Sequence, residues 1–274
     1  MTNITGDTRL YAILADPIHH VKTPQSMNRL FKERGVNAVL VPMHVDAQHL
    51  HFAVAGLRAM RNLDGFVVTV PHKSAIVDLC DELTPAASRV GAVNVVRRDL
   101  DGRLHGDILD GRGFVAGLRT KGIDPAGMSV YLAGAGGAAN AIAFALAEAG
   151  IRQLTIANRT SAKAMALIDR VAASYPDLAL MAGTEDPSGH DLVVNGTSLG
   201  LRPEDPVPCD VARLDPAQIV AEIIMHPAET PLLKAAKAKG CRIHFGAPML
   251  ACQIEMMVAF MSGADTQRIG EANK

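Results

Sequence analysis

The run Val130-Tyr131-Leu132-Ala133-Gly134-Ala135-Gly136-Gly137-Ala138-Ala139 joins an apolar strand to an alanine-rich helix through a turn of glycines. It fits the spacing GxGxxA at Gly134, Gly136 and Ala139, which marks a dinucleotide site when a strand precedes it and a helix follows. Gly134 permits the tight turn, Gly136 lets a backbone approach a pyrophosphate, and Ala139 lets the helix pack closely on the sheet. The helix N-terminus then offers unpaired N–H groups and a partial positive charge. The run therefore predicts a strand–turn–helix with Gly134, Ala135, Gly136, Gly137 and Ala138 around the pyrophosphate. A glycine-rich turn without a ligand is the alternative, and the flanking strand and helix weigh against it.

The next strand, at residues 154–157, runs into Asn158-Arg159-Thr160-Ser161. An acidic residue there would accept hydrogen bonds from a ribose 2′-OH and repel a 2′-phosphate. Arg159 instead offers a phosphate partner, and Asn158, Thr160 and Ser161 offer further donors. Taken alone Arg159 is a solvated surface residue; at this strand end it favours NADP over NAD.

Further out, the apolar pattern alternates between strands and helices. Strands are expected at 10–15, 38–44 and 66–70, with helices at 25–34 and 46–59. After polar, turn-rich residues at 97–106, strands are expected at 129–133, 154–157, 191–195, 218–224 and 242–245. Helices are expected at 137–149, 162–173, 231–239 and 249–261. Alternation of this kind predicts parallel α/β sheets, and two such series meeting near residue 110 predict two domains.

The bulk composition excludes several classes of function. Of 274 residues 49% are hydrophobic and 20% charged, as in globular proteins that bury a sizeable core. The net charge of −1 gives no footprint for nucleic acid or an anionic membrane. Cys80, Cys209, Cys241 and Cys252 form no CxxC pair and have no zinc-ligand spacing to histidine, so no metal is expected. Residues 1–9 are polar and unlike a secretory signal, and no apolar stretch reaches the roughly 18 residues of a membrane span. Free thiols in a reducing, cytoplasmic setting are the expectation.

Other motifs occur in a fixed order. Asp16-Pro17-Ile18-His19-His20 forms a first loop, Thr69-Val70-Pro71-His72-Lys73 fits TxPxK, and Gly91-Ala92-Val93-Asn94 reads GAVN. Residues 106–113 follow GxNTDxxG in part, and Asn158-Arg159-Thr160 reads NRT. Asn195-Gly196-Thr197 is similar to NAT, Thr230-Pro231-Leu232-Leu233 to TPLL, and residues 246–253 to GxxMLxxQ. Together these motifs resemble the shikimate/quinate dehydrogenase family over residues 11–263.

The resemblance implies an N-terminal α/β substrate domain completed by the C-terminal helix, plus a Rossmann NADP-binding domain. The boundaries expected are 1–110 with 246–274 for the first and 111–245 for the second. It implies hydride transfer between NADP(H) and the carbinol carbon of shikimate or a related cyclic hydroxy acid, in aromatic amino acid biosynthesis. The small-molecule substrate would be its main partner, with no nucleic acid or membrane, and the protein would be a monomer or homodimer.

Lys73 and Asp110 would form the proton-transfer dyad, because the reacting hydroxyl must lose its proton as the hydride leaves. Taken singly, Lys73 reads as a surface lysine after a strand, and Asp110 as a turn or helix-cap residue beside Gly111. Thr23, Thr69, Asn94 and Gln253 would bind substrate, and Asn195, Thr197 and Gly246 would join the cofactor set.

The chain departs from the family pattern at the substrate end. Where the first loop normally carries SxSP, whose serines hold a carboxylate, the chain has Val21-Lys22-Thr23-Pro24. Val67 replaces an Asn, Ile108-Leu109 replaces Asn-Thr, His72 replaces a Phe, and Met225 replaces a Tyr before His226-Pro227. Most of these changes turn polar groups apolar, so a working dehydrogenase with an altered substrate is expected. A non-catalytic NADP-binding sensor on the same fold is the alternative, and the dyad argues against it. A folate- or tRNA-linked reductase with a similar turn is disfavoured by the runs TVPHK and GAVN.

Overall fold

A computed structural model describes residues 4–19 and 21–263, which leaves His20 of the first loop outside the described residues. The chain forms two compact units. One holds the chain through Leu109 and again from Ile254, and the other holds Asp110–Gln253.

In chain order the first unit contains β1 (Arg9–Ala15), α1 (Thr23–Glu33), β2 (Ala38–His44), α2 (Leu50–Ala59) and β3 (Leu63–Val68). It continues through β4 (Glu82–Leu83), α3 (Pro85–Val90), β5 (Val95–Arg98) and β6 (Leu104–Asp107). Its sheet has the order β2-β1-β3-β5-β6-β4. β1 is buried along most of its length because parallel neighbours flank it on both sides.

The sheet is mixed, which corrects the all-parallel expectation. β5 runs antiparallel to both β3 and β6. The polar stretch at 97–106 therefore holds most of a β-hairpin, turned at Gly102 with φ +91°. Its arginines disguise it, since their charged heads find local partners. Arg97 pairs with Asp99 and lies 5.5 Å over the Phe260 ring, while Arg98 Nε donates to the Arg58 carbonyl at 2.7 Å.

The second unit begins with α4 (Asp110–Thr120), then β7 (Ser129–Ala133), α5 (Gly137–Glu148), β8 (Gln153–Ala157), α6 (Ser161–Ser174) and β9 (Ala179–Ala182). β10 (Leu192–Asn195), β11 (Ile219–Glu222), α7 (Pro231–Ala238) and β12 (Arg242–His244) follow, and α8 (Ala247–Met261) runs from this unit into the first. The sheet order is β12-β11-β10-β7-β8-β9, with every pairing parallel. Strand order reverses between β7 and β10, so a crevice opens at their carboxyl ends.

Asp110 and residues 246–253, expected in the first domain, pack instead within the second unit. Three glycines of α4 explain this. A side chain on Gly111 would collide with the Ala141 carbonyl of α5, and one on Gly113 with Gln253. One on Gly117 would come within 3.0 Å of the Met249 nitrogen. α4 is thus pressed between α5 and the start of α8. Among the described residues no helix is long and apolar enough to cross a membrane.

Gly111→Ala should cost about 1–3 kcal/mol, because the atom it meets is backbone and cannot swing aside. Calorimetry should show Tm several degrees lower. An unchanged Tm would mean that α4 and α5 can slide apart freely.

Candidate active site

The candidate cofactor residues of the second unit gather at the carboxyl ends of β7, β8 and β10. Gly134 leaves β7 at φ +112°, and its N–H donates to the Ala157 carbonyl at 2.7 Å. A side chain there would come within 3.0 Å of Gly196 and Thr197, so only glycine lets the two loops pass. Ala139 is fully buried, and its methyl lies 3.0 Å from where a Gly196 side chain would begin. Gly136 caps α5 without a side-chain bond, and nothing lies within 4 Å of a side chain built on Gly136 or Gly137. The first turn of α5 therefore presents its backbone N–H groups to open space, flanked by half-buried Ala135 and Ala138.

At the end of β8, Asn158 Nδ2 donates to the Thr160 carbonyl at 2.9 Å and bends the chain into α6. Thr160 is the N-cap of α6, yet its hydroxyl makes no capping bond. Arg159 is exposed, and among the described residues no hydrogen bond or ion pair engages its guanidinium. An unopposed cation and an idle hydroxyl thus stand side by side at this strand end.

Asn195, expected in the cofactor set, turns its side chain inward. It is fully buried and its amide is used internally. Nδ2 donates to the Leu199 carbonyl and to Glu222 Oε2, both at 3.0 Å, while Oδ1 accepts from the Thr197 N–H and hydroxyl. The Thr197 hydroxyl in turn accepts from the Leu199 N–H at 3.0 Å.

Glu222 closes this knot. Its carboxylate accepts from Asn195, from the Thr230 hydroxyl at 2.9 Å, and from the backbone N–H groups of Ile223 and Ile224. Burial pushes its pKa up, while those donors pull it down. The backbone leading to Met225 is thereby pinned. Gly246 lies against the same segment, with 2.5 Å between a notional side chain and the Ile224 carbonyl. Motif spacing did not reveal Glu222, although an acidic residue ending the apolar run Val220-Ala221 was a visible signal.

Asp110 opens α4 as a buried acid. Gln253 Nε2 lies 3.3 Å from its Oδ1 and donates to it. Two residues far apart in sequence, both singled out from motifs, are thus joined. Gly113 makes this contact possible by leaving room for the Gln253 stem.

In the first unit the loops after β1 and β3 are laced together at the carboxyl end of the sheet. The Thr69 N–H donates to the Leu14 carbonyl at 3.0 Å, and the Asp16 N–H to the Val70 carbonyl at 3.1 Å. His72, fully buried, is held by a 2.7 Å bond between Nε2 and the Val45 carbonyl. The Lys73 carbonyl accepts from the Val93 N–H at 2.8 Å, which ties TVPHK to GAVN. Asn94 is buried, and its Oδ1 accepts from the Leu109 N–H at 2.9 Å. Thr69, Lys73 and Asn94 therefore share one end of the sheet, and Thr23 opens α1 as a buried hydroxyl. Of the divergent positions, Val67, Ile108 and Leu109 are buried and Val21 and Met225 half-buried.

Glu222→Gln turns one acceptor into an NH2 facing donors. It should cost about 1–3 kcal/mol, read as a lower denaturation midpoint. Wild-type stability in this variant would refute the knot's structural role.

Comparison with known proteins gives a consistent picture. Residues 13–96 match the family model described as the shikimate dehydrogenase substrate binding domain, and residues 119–198 that of shikimate/quinate 5-dehydrogenase. The chain is 40% identical over 245 residues to the shikimate dehydrogenase (NADP(+)) of Lysinibacillus sphaericus, covering 89% of this chain and 88% of that protein. It superposes with TM-score 0.89 and 31% identity on shikimate 5-dehydrogenase of Listeria monocytogenes in complex with shikimate and NAD, covering 96% and 94% of the two chains. It superposes with TM-score 0.86 and 34% identity on 5-ketofructose reductase of Gluconobacter sp. strain CHM43, covering 93% of each chain.

Proposed function

The chain belongs to the shikimate/quinate dehydrogenase family, and on that premise we propose that it is an NADP-dependent oxidoreductase acting on shikimate or a related cyclic hydroxy acid. The observation that carries the cofactor is the open helix N-terminus at Gly136 and Gly137, with the unopposed Arg159 at the neighbouring strand end. Arg159 would pair with the 2′-phosphate of NADP, and the Thr160 hydroxyl would donate a hydrogen bond to it. Asn195 and Thr197 serve the cofactor indirectly, by shaping the loop that faces Gly134. The first unit takes the substrate and the second the cofactor.

NADP, when bound, accepts or returns the hydride. Lys73 takes the proton of the reacting hydroxyl in the oxidative direction and gives it back in the reductive one. Asp110 exchanges that proton with Lys73, and the Gln253 amide fixes the orientation of its carboxylate. Asn94 and Thr69 hold substrate hydroxyls, and Thr23 the far end of the substrate. On the hydroxy-acid reading the protein would serve aromatic amino acid biosynthesis in the cytoplasm.

A second substrate class is favoured by particular residues. Val21 and Met225 stand where the family uses Ser and Tyr on the substrate carboxylate, and neither side chain can donate a hydrogen bond. Two lost contacts to a charged group, at about 1.5–3 kcal/mol each, weaken carboxylate binding by roughly two orders of magnitude or more. A polyhydroxylated ketone with no carboxylate escapes that loss, and the Gluconobacter relative is named for such a substrate.

Steady-state kinetics with NADP(H) on shikimate, quinate and 5-ketofructose separate the two classes. An ordinary family-level kcat/KM on shikimate would sink the neutral-substrate class, and a preference for 5-ketofructose would sink the hydroxy-acid class. Lys73→Ala should lower kcat by about 10²–10⁴ while NADPH affinity stays near wild type. A variant as active as wild type would remove Lys73 from the mechanism. Arg159→Ala should raise the NADP KM by roughly ten- to a hundredfold with little change for NAD. Equal effects on the two cofactors would exclude a 2′-phosphate contact.

A further inference from the structure

α5 reads Gly137-Ala138-Ala139-Asn140-Ala141-Ile142-Ala143-Phe144-Ala145-Leu146-Ala147-Glu148, so Asn140 is its one polar side chain before the final residue. Its amide is not turned to solvent. Nδ2 donates backwards to two carbonyls of the glycine turn, to Ala135 at 3.0 Å and to Gly136 at 2.8 Å. The Gly136 carbonyl also accepts the Asn140 backbone N–H at 2.9 Å. On its other side, Asn140 Oδ1 accepts from Arg170 Nη1 at 2.7 Å. Arg170 comes from α6, and its guanidinium lies 5.5 Å over the ring of Phe144.

This chain of contacts fixes atoms that the cofactor needs. In a trans peptide the carbonyl and the following N–H point in opposite directions. Holding the Ala135 carbonyl therefore aims the Gly136 N–H the other way, and holding the Gly136 carbonyl does the same for the Gly137 N–H. Asn140 grips both peptides with one nitrogen. Glycines at these positions would otherwise let the peptide planes rotate at little cost. Arginine has donors only, so Arg170 requires the amide oxygen to face it and leaves the nitrogen facing the turn. The Phe144 ring in turn holds the guanidinium in place.

We propose that Asn140 and Arg170 are positioning residues for the cofactor, a latch that presets the Gly136 and Gly137 N–H groups toward a dinucleotide diphosphate. This rests on the glycine turn being the cofactor site. The latch acts on affinity and not on chemistry, since neither side chain is needed by the reacting atoms. Its contribution is pre-organisation, because the turn does not have to be ordered at the moment of binding.

The test is fluorescence titration of NADPH with wild type, Asn140→Ala, Arg170→Ala and Arg170→Lys, together with kcat at saturating NADPH and Tm of each cofactor-free protein. Asn140→Ala should raise the NADPH Kd by about tenfold, leave kcat within about twofold, and leave Tm close to wild type. Arg170→Ala should act in the same direction by about threefold, and Arg170→Lys, which keeps a donor, should recover most of the loss. A Kd within twofold of wild type in both alanine variants would overturn the latch, as would a loss of affinity that follows a collapse in Tm. If wild type binds neither NADPH nor NADH, the cofactor assignment fails, and ¹⁵N relaxation of the cofactor-free protein then decides the latch by itself. Gly136 and Gly137 amides that gain mobility in Asn140→Ala support it, and amides unchanged from wild type refute it.

Discussion

Where β7 ends, two backbones pass so closely that neither can carry a side chain. Gly134 turns past Gly196, and Gly196 in turn leaves room for the Ala139 methyl. The approach falls where strand order reverses, between β7 and β10. Loops leaving these two strands diverge, and α5 can begin directly over the gap only because all three residues are small. The open N–H groups of Gly136 and Gly137 depend on that placement. So does the reach of Asn140, which grips the turn from within the first turn of α5. A methyl group at Gly134 would therefore disturb the whole strand–turn–helix, not one contact.

The second sheet was largely legible in the sequence, because its strands are apolar runs with glycine, proline or helix-cap punctuation. The strand at 129–133 and the start of the helix at 137 agree with the residues themselves. α4 was not legible as a helix. Gly111, Gly113 and Gly117 lower its intrinsic propensity, yet each is needed by a neighbour that only the folded chain brings near. The β5–β6 hairpin was hidden for the opposite reason. Arg97, Arg98 and Arg103 read as loop, while their heads are paired along the strand edges. Mixed strand direction in the first sheet leaves no trace in local periodicity at all.

Candidate site residues divide the same way. Those that act through backbone, such as Gly134 and Gly136, announce themselves by residue type and spacing. Asp110 and Gln253 were named from separate motifs, and the contact between them could not be derived from either. Asn195 was placed at the cofactor because of its motif, whereas its amide is spent on Leu199, Thr197 and Glu222. Glu222 carried no motif, and the bond that Thr230 of the TPLL run makes to it was not legible, because a buried hydrogen-bond knot depends on partners far apart in sequence. Asn140 could have been suspected, since a single amide in an otherwise apolar helix is unusual.

The knot around Glu222 also bears on how such a protein changes over generations. The Asn195 and Glu222 side chains are committed to internal bonds, and these bonds fix the backbone up to Ile224. The next residue, Met225, follows the pinned stretch and is half-buried. A lineage can exchange that side chain, or Val21 in the other unit, without reopening the scaffold behind it. Side chains at such positions can drift one at a time while the buried bonds behind them stay fixed.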